Sequence, residues 1–393
     1  ISRSIFDLYN YGEIRTPIFE VTDLFQRSIG GETDIVEKEM YTFTDKGNRQ
    51  LTLRPEGTAP IVRAYLQNNI HKSHRKAKWY YVGPMFRYER PQAGRFRQFH
   101  QIGVENIGID HPYSDAEIIS MGIHLFDELG LSDLTVSINS VGCPVCRPVI
   151  QERLKQFLGL NLPHLCSDCQ RRYDKNPLRI LDCKNPKCET YFHGMPDIRK
   201  SLCRECTDHF NSVLEYIDAL GIVFEINPRL VRGLDYYTKT TFEIISDTLG
   251  AQNAICGGGR YNKLIEEIGG PSTPAVGFAF GVERAVMILK QLADLEKLEN
   301  NINIYLAPLG EVQRTKAFYI LDELRRSGIK CEMDYVKDDL KAHLKHANKL
   351  RADFTLIYGE DEAEKNCMVV KNMKTGKQEE ISLDTLVDHF SDE

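Results

Sequence analysis

Residues 81–105 read YVGPMFRYERPQAGRFRQFHQIGVE. They belong to two apolar-aromatic runs, KWYYVGPMFRYER and FRQFHQIGVENIG, joined by the Pro/Gly stretch PQAGR, which is the pattern of an antiparallel hairpin. Four arginines, Arg87, Arg90, Arg95 and Arg97, fall within eleven residues of a chain whose formal net charge is −6. Alternation along the first strand directs Arg87 and Glu89 to one face, Phe86 and Tyr88 to the other. Arginines beside aromatics can be a solvated strand edge. An Arg and a Glu on one face, with further arginines on the adjoining loop, also make the floor of a polar pocket, and the guanidinium fork suits phosphate.

Working outward, residues 1–142 alternate short strands with helices. IRTPIFE, MYTFTD, LTLRPEG and LTVSINSVG read as strands, and TAPIVRAYLQNN reads as a helix. SDAEIISMGIHLFDELGL reads as a second helix, with Ser114 as N-cap and Glu117 closing a capping box. Over residues 143–222 strands give way to cysteine pairs and helical patterns (VIQERLKQFLGL, FNSVLEYIDALG), the texture of an insertion. Strands resume over 223–296 with VFEINPRLVRGLDYYTKTTFEIIS, CGGGRY and AVGFAFG. Beyond the polar linker ADLEKLENN, residues 301–393 alternate strand and helix, which predicts a small α/β domain with a mostly parallel sheet. The whole reads as α/β (α+β): an antiparallel sheet flanked by helices, a helical Cys-rich insertion, and the small C-terminal domain.

A length of 393 residues fits two or three such domains. Composition is that of an ordinary globular protein, with 42% hydrophobic and 27% charged residues. No apolar run approaches the roughly 20 residues that span a bilayer. The acidic balance argues against wholesale nonspecific nucleic-acid binding and leaves room for a local basic surface. The chain does not begin with Met, and ISRSIFDLYNYGEIRTPIFE reads as the end of a helix leading into a strand, so preceding residues are expected.

Eight of the eleven cysteines form four close pairs: Cys143/Cys146, Cys166/Cys169, Cys183/Cys188 and Cys203/Cys206. Three are C-x-x-C, the spacing that lets two thiolates hold one tetrahedral ion. One or two structural Zn²⁺ sites are one reading, reduced thiols of a former site the other. Either suits a reducing cytoplasm better than a disulfide scaffold.

Two further arginines bear on the pocket. In FAFGVERAVMIL, Arg284 falls in the first turn of a helix, where unpaired N–H groups and the helix dipole favour an anion. In VRGLDYYT, Arg232 leads into a glycine and a tyrosine pair. No Walker-type or Rossmann glycine motif occurs, so an anion site here rests on an antiparallel sheet with arginines supplying the charge.

These segments resemble the histidyl-tRNA synthetases, class II aminoacyl-tRNA synthetases, along essentially the whole chain. EIRTPIFE is similar to the class II dimer motif with its Pro17. MFRYE through FRQFHQIGVE is similar to the second class motif, and AVGFAFGVERAV to the third. RGLDYYT, CGGGRY and TLRPEGT are similar to stretches peculiar to the histidine enzymes. The resemblance implies a class II sheet, a homodimer formed through the first motif, and ATP with Mg²⁺. It implies activation of L-histidine to the adenylate and transfer to tRNA(His) by a cytoplasmic enzyme. It places Arg87 on the ATP α-phosphate, Glu89 on the adenine side, Phe99 on the adenine ring, and Arg95 and Arg284 on the outer phosphates. Arg232 faces the α-phosphate and the amino-acid carboxylate. Glu56, Gly57, Thr58 and Gln101 lie at the substrate α-amino and carboxylate groups, and Glu105 and Tyr237 at the imidazole nitrogens, with Tyr236 beside them. It also sets the insertion against the tRNA acceptor stem. Glu56 can alternatively cap the helix it precedes, the tyrosines can be plain sheet residues, and His100 reads as structural. Asp235 is left without a role.

In DDLKAHLKHANKLRAD, Lys341, Lys345 and Lys349 recur on one helix face, which is either solvated or a phosphate-contacting surface for the tRNA anticodon arm. The rival to the whole reading is a synthetase-like regulatory subunit of ATP phosphoribosyltransferase. Such proteins typically lose signature residues and the anticodon-binding domain, both kept here.

Overall fold

The computed structural model describes residues 1–30, 33, 35–74, 76–90, 94–246, 254–292 and 302–391. The linker ADLEKLENN and the first three residues of PQAGR lie outside them. The chain divides into two units, Ile1–Leu292 and Ala293–Glu393.

In the first unit the strands are β1 (Gly12–Glu13), β2 (Phe19–Val21), β3 (Thr42–Thr44), β4 (Gln50–Leu53), β5 (Ala77–Phe86) and β6 (Gln98–Ile107). They continue with β7 (Leu134–Ser140), β8 (Phe224–Ile226), β9 (Thr238–Ser246), β10 (Ala254–Arg260) and β11 (Ala275–Gly281). An eight-stranded sheet runs β1-β5-β6-β11-β10-β9-β7-β8, antiparallel through its six central strands, with β1 and β8 added parallel at the edges. The hairpin forms as expected, pairing Tyr81 with Gly103 and Trp79 with Glu105.

Side-chain size decides which face of this sheet is covered. Val104, Phe242, Ile244, Phe278 and Phe280 are buried together with Ile118, Ile119, Met121 and Leu125 of the helix Pro112–Glu128. Each such side chain contributes roughly 1.5–3 kcal/mol by leaving water. The alternate positions are small. One row across five strands reads Tyr81, Gly103, Ala279, Gly257, Glu243, and the next reads Trp79, Glu105, Gly277, Gly259, Thr241. Glycine and alanine leave that face of the sheet hollow.

The same helix starts earlier than the sequence pattern suggests. Pro112 occupies its first turn and His111 caps it, its ring nitrogen accepting from the Tyr113 N–H. The expected capping box therefore does not form. Ser114 instead accepts a hydrogen bond from Arg260 at 2.7 Å, and Glu117 accepts from Lys78 at 2.8 Å. Arg260 is fully buried and grips the equally buried Asp115, a pair whose separation would cost about 3–5 kcal/mol, and this locks β10 to the helix.

The run VFEINPRLVRGLDYYTKTTFEIIS contributes two strands, β8 and β9, with a loop between them. Residues 227–237 leave the sheet between β8 and β9, and their destination is the functional site. The insertion is helical as expected, with Arg147–Gly159, Ser167–Lys175 and Arg204–Ala219 and a 3₁₀ segment Pro177–Asp182.

The second unit contains β12 (Ile304–Pro308), β13 (Cys331–Met333), β14 (Phe354–Tyr358), β15 (Cys367–Asn372) and β16 (Gln378–Ser382) in the order β13-β12-β14-β15-β16. The first three run parallel, linked by helices Glu311–Arg326 and Leu340–Lys349, and β15 and β16 close the sheet antiparallel. Among the described residues no helix is long and apolar enough to cross a membrane.

Candidate active site

The hollow face carries a cavity of about 450 Å³ lined by Arg87, Arg95, Arg232, Arg284, Glu89 and Phe99, among others. Two of the four hairpin arginines thus reach it. Arg90 is exposed, and the Arg97 guanidinium lies 4.1 Å from the centroid of the Tyr88 ring. Arg87 is anchored through Nε to the Pro55 carbonyl at 2.8 Å and lies over the Phe99 ring at 5.4 Å. Glu89 sits between Arg87 and Arg95, at 3.8 and 3.5 Å. Arg284 enters from the first turn of the helix Val282–Leu292, which Glu283 ties to β6 by accepting from the His100 N–H at 2.9 Å. Burial and the nearby charge of Arg95 both push the Arg284 guanidinium down from its ordinary value. It remains a cation, and cations held this close favour an anion between them.

Arg232 lies across β10. A Cβ at Gly257 would overlap its guanidinium, so only a residue without a side chain lets it lie there. Its partner is Glu243, directly across from Gly257 on β9.

A smaller cavity of about 70 Å³ opens beside the first, sharing Arg87, Gln101, Arg232, Gly257 and Ala279 with it. At its inner end Glu105 is buried, accepting from the Thr58 hydroxyl at 2.6 Å and from the Tyr261 phenol. Burial raises its carboxyl to about 8 against the pull of those two donors, with the charge of Glu56 adding to the rise. Burial likewise pushes the Tyr237 phenol up to about 12, which keeps it a proton donor. Tyr236 and Tyr81 complete the wall. The Gln101 side-chain oxygen is buried here with no partner, an acceptor whose desolvation is uncompensated until a ligand donates to it. Glu56 accepts from the N–H groups of Thr58 and Ala59 at 2.6 and 2.8 Å and thus does cap the helix Thr58–Gln67, with Gly57 at the N-cap. It also lines the cavity, so its structural and site positions coincide.

All residues expected around the nucleotide and the amino acid therefore border one of two adjoining cavities, except Gly57, whose place is the turn behind Tyr81. The sequence reading missed at least six contributors. Tyr261 lay within CGGGRY, and its proximity to a carboxylate needed the β6–β11–β10 register. Glu243 was visible as one acid in the apolar strand TTFEIIS. Arg179, Asp182 and Lys184 reach the larger cavity from the insertion, and Tyr81 backs the smaller.

The cysteines gather into two sets, Cys143/Cys146/Cys203/Cys206 and Cys166/Cys169/Cys183/Cys188, whose sulfur atoms lie within 4.8 Å of one another in each set. Measured separations are 3.7 Å (Cys143–Cys146), 3.9 Å (Cys143–Cys203) and 3.9 Å (Cys166–Cys183). A tetrahedron of thiolates about 2.3 Å from a central Zn²⁺ has edges of about 3.8 Å. Backbone N–H groups of Cys203 and Cys166 donate to the sulfurs of Cys146 and Cys188 at 3.0 and 3.1 Å, the outer-sphere contact that orients a ligating thiolate.

The model of the family described as histidyl-tRNA synthetase matches residues 2–152 and 195–285, and one described as anticodon binding domain matches residues 303–393. The chain belongs to the histidyl-tRNA synthetase family. Proteins named histidine--tRNA ligase from Desulforamulus reducens and Halothermothrix orenii are each 52% identical to it, over 98% and 99% of this chain and 92% and 93% of theirs. The crystal structure of apo S. aureus histidyl-tRNA synthetase superposes with a TM-score of 0.82 at 40% identity, covering 99% of this chain and 93% of that one. The fold expected from the resemblance, a class II sheet with a small C-terminal α/β unit, is the fold of this family member.

Because the Glu105 carboxyl is raised in the folded state, folding favours its neutral form. That stability is present in full below the unfolded value of about 4.3 and is lost as pH rises toward 8. Glu105→Gln, which mimics the neutral acid, should therefore gain on wild type in urea-unfolding free energy between about pH 5 and pH 8. A difference that stays flat over that range would mean the carboxyl ionises normally.

Proposed function

We infer that this chain ligates histidine to tRNA(His). Histidine and ATP give histidyl-adenylate and pyrophosphate, and the histidyl group then passes to the 3′-terminal adenosine of the tRNA. The observation that carries the reading is the meeting of Arg87, Arg95, Arg232 and Arg284 on one cavity that opens directly into a pocket ending in a buried acid and a phenol.

In the first step an oxygen of the histidine carboxylate bonds to the α-phosphorus while the bond to the β-phosphate oxygen breaks. The nucleophile is already an anion, so the site needs no general base. It needs in-line placement and neutralisation of the charge that builds on the phosphate. Arg87, fixed from behind by the Pro55 carbonyl, and Arg232, fixed by Glu243, take the α-phosphate, and Arg232 also holds the carboxylate. Arg95 and Arg284 take the outer phosphates, with which Mg²⁺ is bound in this class. Phe99 packs on the adenine and Glu89 accepts from its edge. Gln101, with its partnerless oxygen, receives the α-ammonium together with Glu56 and Thr58.

A neutral imidazole offers one N–H and one lone pair. Glu105 accepts the first and the Tyr237 phenol donates to the second, with Tyr236 alongside. An analogue lacking either leaves a buried polar group unpaired, and such sites reject analogues by factors of about 10⁴ or more. The regulatory-subunit alternative is disfavoured by near-full-length identity to proteins named as ligases and by the retained anticodon-binding match.

The two thiolate sets fit structural Zn²⁺, supplied and kept reduced in a cytoplasm. Cys146, Cys169, Cys183, Cys188 and Cys206 are buried among apolar residues of the insertion such as Ile150, Leu154 and Ile180, where metal adds to burial. The surface of Lys341, Lys345 and Lys349, exposed on the helix Leu340–Lys349, suits the tRNA anticodon arm. Beside Pro17, the half-exposed Ile18, Phe19, Val21 and Phe43 suit a homodimer interface.

Three measurements check these statements. Histidine-dependent exchange of pyrophosphate into ATP should be robust, and Glu105→Gln should lower kcat/KM for histidine by about a hundredfold with the ATP KM nearly unchanged. Wild-type protein without exchange would sink the ligase reading. Replacing the three lysines by glutamine should weaken tRNA binding and flatten its salt dependence by about three charges while exchange persists. Equal affinity would mean a merely solvated face. Sedimentation velocity should find a dimer, and Phe19→Asp a monomer; a monomeric wild type at micromolar concentration would end the dimer proposal.

A further inference from the structure

Residues 227–237 carry Arg232, Tyr236 and Tyr237, yet the stretch leaves the sheet and its carbonyls have no neighbouring strand to bond. They are taken by two arginines of the insertion. Arg179 donates from Nη1 to the Arg232 carbonyl at 2.9 Å and from Nη2 to the Gly233 carbonyl at 3.0 Å. Arg147 donates from Nη1 to the Asp235 carbonyl at 3.2 Å and from Nη2 to the Tyr237 carbonyl. Four carbonyls in six residues are thus gripped by two guanidinium forks.

Each fork is tied to one of the thiolate sets. Arg147 directly follows Cys146, at the start of the helix Arg147–Gly159, and Cys146 belongs to the first set. Arg179 is buried in the 3₁₀ segment Pro177–Asp182, which ends against Cys183 of the second set, where the Cys183 N–H bonds the Ile180 carbonyl at 3.0 Å. Asn176 and Arg179 further hold the Asp235 carboxylate, at 3.0 and 3.7 Å. The second set and Arg179 lie in the stretch 153–194 that the family model leaves unmatched.

We propose that the two tetrathiolate metal sites brace the amino-acid-binding loop, acting through Arg147 and Arg179 as positioning residues. The proposal rests on the ligase reading above and adds to it a structural dependence of histidine binding on metal. A thiolate set without its ion has four sulfurs that can drift apart, and the arginine attached to it loses its anchor. The hairpin and the helix Val282–Leu292, which carry Arg87, Arg95 and Arg284, are not held by these two forks; the larger cavity meets the insertion only along its edge at Arg179, Asp182 and Lys184.

The test uses the full chain. Protein purified without added metal should contain about two zinc ions per chain by elemental analysis. Stripping the metal with a chelator under reducing conditions should speed amide hydrogen exchange across residues 230–238 by about tenfold or more, with residues 98–107 unaffected. Arg147→Lys and Arg179→Lys keep the charge and the metal but lose the fork, and each should raise the histidine KM about ten- to a hundredfold, while Arg147→Lys, whose side chain does not line the larger cavity, should keep the ATP KM within about twofold. Less than a tenth of an equivalent of zinc, exchange across 230–238 indifferent to stripping, or a wild-type histidine KM in both lysine variants would each overturn the proposal. Hydrogen exchange is read without turnover, so its failure is separate from failure of the ligase reading.

Discussion

Guanidinium groups can lie flat against a β-sheet only where the sheet has no side chains to hold them off. Gly257 provides that ground for Arg232, while on the neighbouring strands Gly103 makes room for the Tyr81 ring and Gly277 for the Glu105 carboxylate. Without this strip the arginines would be pushed into water, where each is worth little as an anion ligand, and the two cavities would be filled by their own floor. The bulky residues that a sheet needs for stability are displaced to the opposite face, against one long helix. A site and a core are thus separated by the period-two alternation of a few strands.

Burying that much charge is costly, and each charged group shows how the cost is met. Arg232 has Glu243 across the strand, Arg260 has Asp115, and Arg87 has a backbone carbonyl. For Asp115, burial opposes ionisation, yet the Arg260 charge outweighs it and holds the carboxyl well below the usual range. Glu105 has only hydroxyl donors, and with no cation beside it burial wins and the acid is held protonated near neutrality. The contrast between these two buried acids is what separates a structural carboxylate from one suited to meeting an imidazole: the first has its counter-ion built in, the second waits for a ligand to bring one or to share a proton.

Much of this was legible in the chain. The hairpin, the strand-to-helix turn placing Arg284, the helical character of the cysteine-rich stretch and the α/β character of the second unit all follow from periodicity and turn residues. Motif-sized stretches also held many of the side chains that line the cavities, though not Ile35, Glu39, Arg179, Asp182, Lys184 or Glu243. What stayed hidden depended on contacts between distant segments. The Tyr261–Glu105 bond needs strand register, which alternation alone does not set between non-consecutive strands. Ser114 looked like a helix cap because the local pattern allowed it, but Pro112 fixed an earlier start and left Ser114 to serve Arg260. Arg179 in the insertion was not singled out, since nothing local distinguishes an arginine that points to solvent from one whose fork is matched by two carbonyls some fifty residues away.

The break inside the run VFEINPRLVRGLDYYTKTTFEIIS was not located from the sequence, for a related reason. Its composition is β-like throughout, and the breaks at Pro228 and Gly233 are mild. Backbone carbonyls must find donors somewhere, and in a strand the neighbour supplies them. In this loop side chains supply them instead, so the backbone is freed from the sheet's pleat and can turn Arg232 toward the larger cavity and Tyr236 and Tyr237 toward the inner pocket. That freedom has a consequence for how the protein holds together. A loop ordered by side chains is only as rigid as the segments those side chains come from, and here they come from a helical insertion whose buried residues include five of the eight paired cysteines. The thiolate sets occupy the places where that insertion would otherwise be loosest, one at the root of each arginine-bearing segment. The geometry of the amino-acid pocket and the cohesion of the insertion are therefore one problem, solved in the same place.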